Sequence, residues 1–205
     1  STFGGINVAC TEYCQMRNDG CNGLYDTLQT LTGWDKAGTG IDFGVQMARI
    51  INDDLTALNA VEWNWWTGVS VLSQWAVDND DYYTDALVYV KETDHEDISI
   101  PKRLWCLGNY SRFVEPGTVR VKVTEGQSDI ISSAFVNEDG ALVIVYVNQT
   151  GADKSVNLKA GGYNDFAVYT TSSECDLLNT AGGSLSVSDK ITLPSQSVVS
   201  VVLTK

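Results

Sequence analysis

Histidine is almost absent from this chain, with His95 alone among 205 residues, and basic side chains are scarce. Thirteen Lys and Arg stand against 26 Asp and Glu, which leaves a formal net charge of -13. That balance argues against a nucleic acid or an anionic membrane surface as partner, because either would be repelled. A neutral ligand fits better. The five cysteines, Cys10, Cys14, Cys21, Cys106 and Cys175, show no paired CxxC spacing, and one histidine does not complete a zinc site with them. No metal and no other cofactor is expected. An odd count leaves at least one thiol free, although Cys10, Cys14 and Cys21 are close enough in sequence for a local disulfide in an oxidising compartment. No apolar run reaches the ~20 residues that a membrane-spanning helix needs. The opening Ser-Thr-Phe-Gly-Gly has neither the charged nor the apolar region of a signal peptide. A strand pattern follows almost at once, so an upstream part is expected to be missing.

Against these absences stands a concentration of indoles. Three of the six tryptophans fall in the seven residues 60–66, Ala-Val-Glu-Trp-Asn-Trp-Trp. A strand that ends in aromatics, amides and acids suits the mouth of an α/β barrel, where sugar rings can lie flat on indole faces. The alternative is a buried strand whose tryptophans fill a core.

Residues 6–13, Ile-Asn-Val-Ala-Cys-Thr-Glu-Tyr, form a short apolar run closing on a glutamate, as a parallel barrel strand does. Residues 14–40 read as a long loop rich in Gly, Asn, Asp and Thr, with a helical turn around Leu24, Leu28 and Leu31. Residues 42–58 carry Met47, Ala48, Ile51, Leu55 and Leu58 on one helical face, and Asn59 suits the helix end. Strand, loop, helix, strand is a βαβ unit, which implies parallel pairing. Beyond it, Asp78, Asn79, Asp80 and Asp81 read as a solvated turn, since they lack the alternating pattern and closing glutamate of a calcium loop. Residues 87–90 read as a short strand, the charged stretch around His95 as exposed, and residues 102–107 as a helix ending at Gly108. From Thr118 the texture becomes that of an antiparallel sandwich. Val119, Val121 and Val123 alternate with polar residues, and Glu138-Asp139-Gly140 turns into the apolar run 141–148. Strands follow at 154–158, 166–170, 184–187 and 198–203.

Glu12, at the end of the first strand and one strand before the aromatic strand end, sits where a retaining glycosidase holds its nucleophile. A strand-end glutamate can equally be salt-bridged or cap a neighbouring helix. Tyr82, Tyr83 and Trp75 either extend a glycan cleft or pack against their loop. Asn109-Tyr110-Ser111 and Asn148-Gln149-Thr150 have the form of glycosylation sequons, triplets common by chance.

Taken in order, Thr11-Glu12-Tyr13-Cys14, the strand 60–66, Leu107-Gly108-Asn109-Tyr110-Ser111-Arg112-Phe113-Val114-Glu115-Pro116-Gly117, the run from Ser133-Ala134-Phe135 to Asn148, and Leu193-Pro194-Ser195-Gln196-Ser197-Val198 resemble the C-terminal part of glycoside hydrolase family 30. The resemblance covers essentially the whole chain. It implies a fold combining α/β and all-β parts: the C-terminal remnant of a (β/α)8 barrel in residues 1–108, fused to an antiparallel β-sandwich side domain in residues 109–205. It also implies hydrolysis of β-linked polysaccharide with retention, in a secreted or cell-envelope protein. Glu12 matches the family nucleophile, and Trp66 an aromatic lining the sugar site, with Tyr13, Trp63 and Trp65 as neighbours that bind substrate. The wording is most similar to endo-β-1,6-galactanase-like members. The family's acid/base glutamate lies on a strand this sequence does not contain, so the isolated chain is expected to be inactive. Its open barrel edges call for the missing N-terminal portion or another copy as partner. The competing expectation is a non-catalytic carbohydrate-binding or structural β-sandwich module.

Overall fold

The computed structural model describes residues 7–14, 40–75, 85–124, 128–186 and 190–205. The helical turn expected near Leu24, the acidic cluster at 78–81, Tyr82, Tyr83 and Cys21 lie outside the described residues.

Strand β1 (Val8–Tyr13), helix α1 (Ile41–Thr56) and strand β2 (Ala60–Trp65) form the expected βαβ unit, and β1 pairs with β2 in parallel. The helix forms because its apolar residues recur at helical spacing. Phe43, Met47, Ala48 and Ile51 are all buried, while Arg49 and Asp53 face water as an i,i+4 ion pair. Asn59 takes φ 55 in the turn into β2, as its tolerance of the left-handed region allows. Next come β3 (Val69–Leu72), β4 (Val88–Lys91) and β5 (Asp94–Ser99), a three-stranded sheet in which β3 and β4 are parallel and β4 and β5 antiparallel. The charged stretch around His95 is therefore a strand, although His95 is exposed as expected.

Helix α2 (Lys102–Ser111) runs through Gly108 instead of ending there. Gly108 serves close approach, for a Cβ at that position would stand 3.0 Å from Leu177 Cδ2. Asn109, placed by sequence at the start of the sandwich domain, is thus inside the helix. Its side chain is fully buried, with Nδ2 donating to Tyr169 O and Ser200 Oγ and Oδ1 accepting from Thr171 Oγ1.

The remaining strands are β6 (Val119–Val121), β7 (Ile130–Val136), β8 (Leu142–Asn148), β9 (Lys154–Asn157), β10 (Asp165–Thr171), β11 (Leu178–Ser184), β12 (Lys190–Leu193) and β13 (Ser197–Thr204). Six of them make one antiparallel sheet in the order β11-β10-β13-β8-β7-β6, and β12 pairs with β9 in a smaller second sheet. The hairpin from β7 to β8 closes at Gly140, whose φ of 85 suits glycine. The strand expected at 184–187 lies earlier, because residues 178–184 form an exposed edge strand with no alternation of apolar residues to mark it.

Each face of the large sheet is covered differently. One face, with Phe135, Val143, Val145, Val147 and Val198, packs against Val45, Met47, Ala48 and Ile51 of α1 and Cys106 and Tyr110 of α2. Each such aliphatic side chain, fully buried, contributes about 1.5–3 kcal/mol. The other face, with Ile144, Tyr146, Val168, Val199 and Val201, meets Leu158, Ile191 and Leu193 from the small sheet's side. A cavity of about 660 Å³ opens between the large sheet and the β9 segment, lined by Ser132, Tyr146, Asn157, Lys159 and Tyr163 among others. No helix among the described residues is long and apolar enough to cross a membrane.

Candidate functional site

Alternation along β2 divides its residues between two faces. Val61, Trp63 and Trp65 fall on one; Ala60, Glu62, Asn64 and, just past the strand, Trp66 fall on the other. Trp63 and Trp65 pack against the core that α1 builds, half-buried. Trp63 Nε1 donates to Asp54 Oδ2 at 2.9 Å, and Trp65 Nε1 donates to the carbonyl of Asp85 at 2.5 Å. Tyr13 of β1 joins them: its ring lies 6.0 Å from Trp63 and 5.8 Å from Trp65, and the two indoles are 6.1 Å apart.

Behind this aromatic layer Arg103 is fully buried, its guanidinium 5.0 Å from the Phe43 ring and 5.2 Å from the Trp65 ring. Two π faces compensate part of the cost of burying that cation. Asp85 is buried beside it, and burial raises its carboxyl above the usual range while the Arg103 charge opposes the shift. Cys10 shares the layer. Burial and the negative charge of Asp54 both push its thiol up, which makes it a poor nucleophile at neutral pH.

Trp63 and Trp65 thus pack toward the helix layer, with the Tyr13 ring against both. The indole N–H groups of Trp63 and Trp65 both serve bonds within the chain. The open face is another matter. Glu12 is exposed at the C-terminal end of β1, and Trp66 is 55 % exposed at the C-terminal end of β2. The two strand ends are tied together, since Trp66 N donates to Tyr13 O at 2.8 Å and so continues the parallel ladder. The Trp66–Thr67 peptide is cis. One carboxylate and one indole are therefore both exposed at the ends of adjacent, hydrogen-bonded strands. Neither lines the cavity in the sandwich.

Glu62 and Asn64 also belong to the open face, and Asn64 Nδ2 donates to Glu62 Oε1 at 2.8 Å. Counting in twos along residues 60–66 separates these polar residues and Trp66 from Trp63 and Trp65, a signal the clustering of tryptophans obscures. Trp75, beyond β3, is 63 % exposed. The two sequon asparagines are fully buried. Asn148 Nδ2 donates to the carbonyls of Ala152, Leu193 and Pro194, and Oδ1 accepts from Thr150, so it is a structural brace out of reach of modification.

Known proteins match part of the chain by sequence and nearly all of it by structure. Residues 117–203 match the glycosyl hydrolase family 30 beta sandwich domain. Glucuronoxylanase XynC of Bacillus subtilis (strain 168) is 31% identical over 115 residues, which cover 54% of this chain and 27% of that protein. The matched segment thus spans about a quarter of the relative's length. Among solved structures, the catalytic domain of GH30 xylanase C from Talaromyces cellulolyticus is similar with a TM-score of 0.73 at 19% identity, over 98% of this chain and 41% of that one. A conserved exported protein from Bacteroides fragilis gives a TM-score of 0.74 at 23% identity, over 97% of this chain and 39% of that one. At such identities the likeness is one of fold. Residues 117–203 are thus similar to the beta sandwich domain of glycosyl hydrolase family 30, and xylanases are among the similar proteins.

Proposed function

We propose that this chain is the C-terminal part of a retaining glycoside hydrolase, in which Glu12 attacks the anomeric carbon of a β-linked glycan and Trp66 supports the sugar ring. The observation that carries this reading is the rim itself: an exposed carboxylate and an exposed indole on adjacent parallel strand ends, hydrogen-bonded in register through Trp66 N and Tyr13 O. Retention requires a second carboxyl about 5 Å from the first to protonate the leaving oxygen. We place it on barrel strands beyond this sequence, because two parallel strands cannot close a barrel. The chain alone is then inactive, and the barrel portion is its partner, or a second copy joined through the open strand edges.

The substrate we favour is uncharged. Residues 8–13 and 60–66 contain two carboxylates, Glu12 and Glu62, and no Lys or Arg, in a chain of net charge -13. A glycan bearing uronic acids would be repelled from such a face, whereas a neutral β-1,6-galactan would not. A secreted or envelope location suits a polysaccharide substrate. The domain division at residues 108 and 109 we retain as a division of labour only, since helix α2 spans it.

A second reading is favoured by the sandwich cavity, where Tyr146 and Tyr163 stand with Asn157 and Lys159. In that reading the domain holds glycan without cutting it.

Turnover of β-1,6-galactan and of glucuronoxylan by the intact protein, wild type against Glu12→Gln, separates the readings. A loss of about 10³-fold or more, with glycan binding retained, is the expected result. Full turnover by Glu12→Gln would exclude it as nucleophile, and glycan binding abolished by Tyr163→Ala would favour the sandwich.

A further inference from the structure

The β1–β2 ladder is irregular where it approaches the rim. Cys10 lies across from Trp63 and Tyr13 across from Trp65, so Thr11 and Glu12 together occupy the space opposite one residue of β2, Asn64. A compensating irregularity lies lower, where Val8 and Ala9 face Ala60 and Glu62 and the intervening Val61 has no counterpart. In a regular strand Thr11 and Glu12 would point to opposite faces. Here Cys10 and Tyr13, three residues apart, both belong to the α1 side, and both residues between them are exposed. An extra residue of this kind re-aims a side chain. It leaves Glu12 exposed and sets it, with Thr11, opposite Asn64 in the register.

The amide of Asn64 is itself oriented. It carries two N–H donors and one carbonyl. One N–H is engaged by Glu62 Oε1 at 2.8 Å, from two residues earlier on the same strand face. That bond decides which end of the amide is nitrogen and uses one of its two N–H groups, on the residue that the register sets opposite Thr11 and Glu12.

We infer that Asn64, oriented by Glu62, is a positioning residue for Glu12, its second amide N–H holding one carboxylate oxygen so that the other faces the sugar. The inference rests on the reading of Glu12 as nucleophile. The chemistry asks for such a group. A carboxylate on a flexible two-methylene stem attacks efficiently only when one oxygen is held in line with the anomeric carbon, and small misplacements are costly in rate. A neutral amide donor fixes the rotamer without placing a cation beside the attacking oxygen, and among residues 8–13 and 60–66 there is no cation to do so. Glu62 has a role here that does not require it to touch substrate: it accepts from Asn64 and prevents the amide from flipping.

The test uses the intact protein carrying this chain, with β-1,6-galactan and glucuronoxylan as probes, and four variants: Glu12→Gln, Asn64→Ala, Glu62→Gln and the Asn64→Ala/Glu62→Gln double. Asn64→Ala should lower kcat by roughly 10–100-fold with KM within about twofold, the signature of a lost transition-state alignment. Glu62→Gln should lower it by less, and the double variant should be no worse than Asn64→Ala, since Glu62 acts through the amide. A separate readout needs no turnover. In the 205-residue chain, Glu12→Gln should shift the side-chain amide resonances of Asn64, and Glu138→Gln, a remote control, should not. Unchanged kcat in Asn64→Ala alongside an inactive Glu12→Gln would overturn the inference and leave the nucleophile standing; so would an effect confined to KM, additive losses, or an Asn64 amide blind to Glu12. Turnover retained by Glu12→Gln would remove the premise and the inference with it.

Discussion

Asn109 and Ser200 hold each other twice: Asn109 Nδ2 donates to Ser200 Oγ at 2.8 Å, and Ser200 Oγ donates to the Asn109 carbonyl at 2.6 Å. Both residues are fully buried, one on α2 and one on β13, so this reciprocal pair locks the helix layer onto the centre of the large sheet. A buried amide deprived of its partners leaves them unsatisfied, and the cost is that of desolvation without compensation. Asn109→Ala should therefore lose about 2–4 kcal/mol of stability in urea unfolding. Ser200→Ala should lose less, because Asn109 keeps Tyr169 and Thr171 as partners.

The helices meet through a glycine. A Cβ at Gly44 of α1 would stand 2.6 Å from Cys106 Sγ and 3.1 Å from the Lys102 carbonyl of α2. Gly44→Ala should destabilise by about 1–3 kcal/mol through overpacking, despite alanine's better helix propensity. Adding Cys106→Ala should recover part of that loss, since the sulfur is the nearer obstacle. A recovery of nothing would mean that the Lys102 backbone, not the thiol, sets the contact.

Much of this architecture is legible in the sequence, and the misses have physical causes. Helix α1 is readable because Met47, Ala48 and Ile51 recur at helical spacing, and β8 and β13 because buried strands are continuous apolar runs. Gly108 misleads, because a glycine that permits close approach to Leu177 has the same letter as one that ends a helix. Strand β11 is invisible because an exposed edge strand buries nothing and so has no pattern to show. Asn109 and Asn148 resemble modification sites and are instead buried braces, a distinction that depends on tertiary partners far along the chain. At the site, Glu12 and Trp66 can be picked out because they end strands. The bulge that sets Glu12 against Asn64 depends on register between strands separated by a helix, which no local pattern encodes.

Tyr146 gives the protein a defined alkaline limit. Burial against the small sheet pushes its hydroxyl up to about 12 from an ordinary value of 10. The folded state therefore keeps a proton that the unfolded chain releases. The stability this supplies is fully present below pH 10 and is lost as pH rises from 10 toward 12. The loss is about 2–3 kcal/mol at most, at roughly 1.4 kcal/mol per unit. Urea midpoints should fall across that window, and Tyr146→Phe should flatten part of the fall while changing little at pH 7. Equal alkaline sensitivity in wild type and Tyr146→Phe would assign the loss to other groups.

The two faces of β2 make opposite predictions for its tryptophans. Trp63 is half-buried against α1 and donates to Asp54, so Trp63→Phe keeps most of the ring, loses one hydrogen bond and should cost about 1 kcal/mol in unfolding. Glycan affinity should not change, because the ring faces away from Glu12. Trp66 is more than half exposed beside that carboxylate, so Trp66→Ala should leave the unfolding midpoint nearly unchanged. In the intact protein it should raise KM for the glycan by about tenfold, the loss expected for one stacking contact. The sum of tryptophans in a seven-residue stretch would make all three equivalent contributors to a sugar floor. Alternation makes only one of them so, and a Trp63→Phe variant that loses affinity as severely as Trp66→Ala would show that the sugar reaches the face now covered by α1.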